Sequence, residues 1–84
     1  MKLQLLIAGQ IPKCIETRDI WLQACEQLGI TLEIIEMEDE EGKQIVDHLS
    51  IKSFPVLIAD GKIKAVGRPK PRDAMAILQQ LLIS

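Results

Sequence analysis

Ser53-Phe54-Pro55-Val56-Leu57-Ile58-Ala59-Asp60-Gly61-Lys62-Ile63-Lys64-Ala65-Val66-Gly67 is the stretch that decides the fold. An apolar run, Val56 to Ala59, meets an Asp-Gly pair and then the alternating run Lys62-Ile63-Lys64-Ala65-Val66. That combination is the strongest short-range signal for a β-hairpin, because Asp-Gly supplies the positive φ angles that a tight turn needs. Lysines pointing outward from the second arm mark a sheet edge protected by charge. Beyond Gly67, Pro69 and Pro71 break the chain, and Asp73 to Ile83 carries Met75, Ile77, Leu78, Leu81 and Leu82 as a closing amphipathic helix.

Upstream of the hairpin the period of the apolar residues changes twice. Lys2 to Ala8 is almost unbroken apolar sequence, which suits a central strand buried on both faces. Gly9 ends it. Pro12 is well suited to the first turn of a helix, and Cys14, Arg18, Trp21, Cys25 and Leu28 then form one stripe, with Ile15 and Leu22 beside it, as far as Gly29. Ile30 to Met37 is rich in β-branched residues and reads as a second strand, parallel to the first across the helical crossover. Lys43 to Leu49 offers Ile45, Val46 and Leu49 at helical spacing, enough for about two turns. The expected order is βαβαββα over residues 1–84 as one α/β domain, a four-stranded mixed sheet flanked by helices in a three-layer sandwich.

Composition narrows the function. A length of 84 residues holds one core, and 48% hydrophobic with 26% charged residues is the balance of a folded globule. The longest apolar runs fall far short of the ~18 residues of a membrane span. Met1-Lys2 leads into no cleavable leader, so a cytoplasmic location and reduced thiols are expected. A net charge of −2 and 2% aromatic residues give little to attract or stack nucleic acid.

The order βαβ, α, a proline-led ββ hairpin and a final helix resembles the thioredoxin/glutaredoxin-like superfamily in its shortest form, over essentially the whole chain. Ser53-Phe54-Pro55-Val56-Leu57-Ile58 with Asp60-Gly61-Lys62 and Gly67 is similar to the family's segment around its cis-proline, where the preceding residue's backbone pairs with a bound peptide or glutathione. Gly67-Arg68-Pro69 is similar to the glycine turn of glutaredoxin-like electron donors. The family carries Cys-x-x-Cys immediately after the first strand. Here the same place reads Ile11-Pro12-Lys13-Cys14. The resemblance makes the absent first cysteine the attacking sulfur and the retained one its resolving partner, so family-style dithiol exchange is lost. A second, local likeness joins Leu5-Leu6-Ile7-Ala8-Gly9-Gln10-Ile11-Pro12 to the opening of the clock adaptor KaiB, a thioredoxin-like protein without a redox site.

Two functional readings follow. In the first, Cys14 in the opening turn of a helix is a single reactive thiol, since unpaired N–H groups and the helix dipole favour an anion there. Its partners would be a protein thiol or disulfide, or glutathione, held by Pro12, Lys13, Ser53, Phe54, Pro55 and Gly67. In the second, the chain is a non-catalytic binding module that uses the Pro55 groove, with Cys14 a relic. Cys25 lies eleven residues further along, about 16 Å up the helix, which excludes a bridge to Cys14 and makes Cys25 a core residue. His48 is the only histidine, so no zinc set forms, and no glycine-rich phosphate loop calls for a cofactor. Glu36, Glu38, Asp39, Glu40 and Glu41 make one acidic patch, and Lys62, Lys64, Arg68, Lys70 and Arg72 a basic one. Opposed patches of this kind steer transient protein docking.

Overall fold

The computed structural model describes residues 1–9 and 11–83. These form β1 (Leu3–Ile7), α1 (Pro12–Leu28), β2 (Leu32–Glu36), α2 (Glu40–Leu49), β3 (Val56–Ala59), β4 (Lys62–Val66) and α3 (Pro71–Ile83). The sheet order is β2-β1-β3-β4. β1 pairs in parallel with β2 and antiparallel with β3, and β3 and β4 make the hairpin. A thioredoxin-like α/β layout with a mixed sheet is therefore what the sequence encodes.

Local chemistry sets the boundaries. Pro12 occupies the first turn of α1, where its missing N–H is no loss. At the other end Gly29 turns left-handed (φ 69°), and the N–H of Ile30 donates to the carbonyl of Cys25 at 2.9 Å, which closes the helix. The second helix starts at Glu40, three residues before the sequence pattern places it. The acidic run is thus not a loop ahead of the helix: Glu40 and Glu41 form its first turn, where the helix dipole favours negative charge.

Two apolar clusters fill the spaces above and below the sheet. One joins Leu3, Leu5, Ile7, Leu57 and Ala59 to Cys14, Trp21, Ala24 and Cys25 of α1 and to Ala74 and Leu78 of α3. The other joins Leu6, Ile35, Val56 and Ile58 to Ile51 and the half-buried Ile45, Val46 and Leu49 of α2. Phe54 packs against both, so the residue before Pro55 is pinned from two sides. The buried stripe of α1 differs from the one the sequence suggests. Thr17 and Ala24 lie inside, whereas Arg18 is half-exposed and Leu22 exposed. Small side chains let α1 sit close to its neighbours, and the Thr17 hydroxyl donates to the Lys13 carbonyl at 2.7 Å, leaving no unpaired buried group there.

Close approach also fixes Gly42. A Cβ at this position would stand 2.0 Å from the Glu36 carbonyl oxygen and 2.9 Å from the Met37 Cα, both backbone atoms. The first turn of α2 thereby rests on the end of β2. Gly42→Ala would gain about 1 kcal/mol of helix propensity and lose ~1–3 kcal/mol or more to overpacking. The variant is expected to unfold at lower urea concentration than the parent; an equal or higher midpoint would contradict the contact.

Candidate functional site

Strand register gathers four chain crossings at one end of the sheet. Ile7, which ends β1, stands beside Glu36, which ends β2, and Leu6 stands opposite Val56, so Pro55 comes in next to the segment that leaves β1. Val66 pairs with Val56, and the Gly67 N–H donates to the Pro55 carbonyl at 2.8 Å, extending the ladder by one step. The Met37 N–H donates to the Ile7 carbonyl at 2.8 Å, and the Gly9 N–H donates to the Glu36 carboxylate at 2.9 Å. The approach to α1, the Phe54–Pro55 turn and the Gly67 turn are therefore tied side by side.

The side chains at this end divide sharply by exposure. Ile11, in extended conformation at the cap position of α1, is 52% exposed, and Pro12 and Lys13 are exposed beside it. Cys14 is 2% exposed and belongs to the core under α1. Its N–H donates to the Ile11 carbonyl at 2.9 Å, closing a tight turn between the two positions. The Phe54–Pro55 bond is cis, with Pro55 buried and Ser53 exposed. Among the described residues, neither the N–H nor the carbonyl of Phe54 has a hydrogen-bond partner. Gly67 takes φ 85°, a left-handed conformation that suits glycine, and delivers Arg68 to an ion pair with Glu16 of α1. Pro12, Lys13, Ser53, Phe54, Pro55 and Gly67 thus come to one end of the sheet. Cys14 lies beneath them.

This layout is reflected in known proteins. The thioredoxin domain model matches residues 1–79. The chain belongs to the thioredoxin-domain family. Among solved structures, the glutaredoxin-like protein NrdH-redoxin from Escherichia coli, described as having a thioredoxin-like activity profile, superposes with a TM-score of 0.59. The match covers 88% of this chain and 91% of that one at 20% identity, which is a likeness of fold. No curated protein matches in sequence.

Cys25 sits in the same core as Cys14, and both are free thiols. Burial pushes the Cys25 thiol above its ordinary value, because a thiolate there would lose its hydration. Among the described residues no group of His, Cys, Asp and Glu side chains is placed to hold a metal ion, and no helix is long and apolar enough to cross a membrane. Sequence reasoning did not reach the Glu16–Arg68 pair, because nothing local joins residues 52 positions apart.

A raised thiol value in the folded state makes stability fall with rising pH. Below the unfolded value of ~8.5 the thiol is protonated in both states and costs nothing. Above it the unfolded chain ionises first, so stability drops by up to ~1.4 kcal/mol per pH unit until the folded value is passed. Urea titrations between pH 7 and 10.5 should show a shallower decline for Cys25→Ala than for the parent. Parallel profiles would contradict the assignment.

Proposed function

We propose that this thioredoxin-family chain docks an extended segment of a partner protein across the Ile11, Phe54–Pro55 and Gly67 surface, without dithiol exchange. One observation carries this reading: the outermost position of the Ile11-Pro12-Lys13-Cys14 turn presents an apolar side chain, 52% exposed, and the only sulfur of the turn is 2% exposed below it. Thiol–disulfide exchange needs a thiolate that can align with a partner's disulfide. Ile11 offers no sulfur, and Cys14 offers no path to one.

The same surface is suited to binding. The unpaired N–H and carbonyl of Phe54 can exchange two hydrogen bonds with an extended chain, each worth ~0.5–1.5 kcal/mol net. Covering the exposed half of Ile11 contributes on the order of 1 kcal/mol. These terms describe a modest, reversible contact. Pro12, Lys13 and Ser53 edge it, and the Glu16–Arg68 pair ties the Gly67 turn to α1.

A single-thiol role for Cys14, with glutathione or a protein disulfide as partner, is the second reading. It is favoured by the position of Cys14 in the first turn of α1, three residues after Ile11. Such a role would require the turn to open, because the sulfur must leave the core to react.

Substitution at position 11 separates the two. The Cys14 N–H to Ile11 carbonyl bond closes a turn that holds the Cα atoms within ~7 Å, a span a disulfide can bridge. Ile11→Cys should therefore create dithiothreitol-dependent insulin reduction that the parent lacks. Measurable turnover by the parent would overturn the docking reading in favour of Cys14. Conversely, Ile11→Asp should weaken binding of an extended apolar peptide about tenfold, read from amide shifts of Ile11, Phe54 and Gly67 in the parent. Binding that leaves those amides unmoved would contradict the surface named here.

A further inference from the structure

The end of the sheet that carries this surface is electrically lopsided, and the strand order says in which direction. Reading across it from β2 to β4, the chain crossings are the acidic β2–α2 turn, the Ile11 turn, the Phe54–Pro55 turn and the basic segment after Gly67. Glu38, Asp39, Glu40 and Glu41 are all exposed on the first side. Gly42, packed on Glu36, holds that acidic turn against the end of β2. On the other side Arg68, Lys70 and Arg72 are exposed, and the segment from Arg68 to Pro71 shares a groove with Glu16, Asp19 and Ile20 in the first half of α1. Glu16 neutralises Arg68 through their ion pair, which leaves Lys70 and Arg72 as the cations of that flank. Apolar Ile11 and the open backbone of Phe54 lie between the two flanks.

We infer that the docked segment is charge-asymmetric, with basic residues over the Glu38–Glu41 flank and acidic residues over the Lys70–Arg72 flank. The inference rests on the docking reading above and adds the chemistry of the partner. Three inter-strand intervals separate β2 from β4, about 14 Å, which an extended chain covers in about four residues. The partner would therefore carry opposite charges at the two ends of a four-residue apolar stretch. A uniformly acidic segment would meet the acidic flank at one end, and a uniformly basic one would meet the basic flank at the other. Exposed charges of this kind act more on orientation and encounter than on holding strength, so the flanks set which way a partner lies.

Four synthetic peptides test this, all with the same four-residue apolar centre: Lys-Lys before it and Glu-Glu after it, the reverse order, Glu-Glu at both ends, and Lys-Lys at both ends. One of the two asymmetric peptides should bind the full chain about tenfold more tightly than either symmetric peptide at low ionic strength. The advantage should shrink to less than about twofold in 0.5 M NaCl, where exposed charges are screened within a few ångström. In a Glu38→Lys, Glu41→Lys variant, whose acidic flank then carries no net charge, the all-acidic peptide should bind as tightly as the favoured asymmetric one. In a Lys70→Glu, Arg72→Glu variant the preference should pass to the all-basic one. All four substituted side chains are exposed, so the variants keep the core. Equal binding of the four peptides, or preference for a symmetric one by the parent, would overturn the inference and leave docking intact. No binding of any peptide would remove both.

Discussion

Strand β1 is buried on both faces and paired along both edges, and the geometry of the candidate site descends from that. Its parallel pairing with β2 forces a helical crossover, so α1 must begin at the same end of the sheet where β2 finishes. Its antiparallel pairing with β3 brings the start of β3, and with it the Phe54–Pro55 turn, to that end as well. Two backbone hydrogen bonds then complete the row, Met37 N–H to the Ile7 carbonyl on one side and Gly67 N–H to the Pro55 carbonyl on the other. The exposed surface formed this way is made mostly of turns, but each turn is anchored at its root by a ladder bond.

Within that frame the difference between Ile11 and Cys14 is one of helix geometry. Ile11 caps α1 in an extended conformation and projects outward, while Cys14 is the third residue of the helix and faces the sheet with Thr17, Trp21 and Cys25. A sulfur three places earlier would be exposed at the surface. The sulfur that is present serves the core instead, in contact with a cluster that includes Leu57 and Ala74. At the start of α1 the chain thus exposes an apolar side chain and buries the sulfur that follows it.

Much of this was legible in the sequence, because the signals were local. Asp60-Gly61 between two apolar arms, Pro12 and Gly29 around α1, and the unbroken run of β1 each specify their own conformation. What could not be read depends on partners far along the chain. The hairpin contains an irregularity between Leu57 and Ile58, where Lys64 is the extra residue on the opposing strand. Because of it, Ile63 and Val66 share the face of Ile58 and Val56, and both stay exposed at the edge, 43% and 58%. Simple alternation would have put them on opposite faces. The burial of Thr17 and Ala24 in preference to Arg18 and Leu22 likewise follows from where α3 and the sheet press on α1. The grouping of Pro12, Lys13, Ser53, Phe54, Pro55 and Gly67 was visible only through the family resemblance, whereas the helical stripe shared with Trp21 and Cys25 already set Cys14 toward the core.

The most direct test of the central claim is the rate at which iodoacetamide labels Cys14 in the native protein between pH 6 and 9, followed by peptide mass and compared with a short cysteine peptide. A sealed sulfur should label at least a hundredfold more slowly than the peptide throughout, and reach the peptide's rate once urea unfolds the chain. Labelling at or above the peptide's rate in the native protein, with a midpoint below pH 7, would show an exposed thiolate and contradict the account.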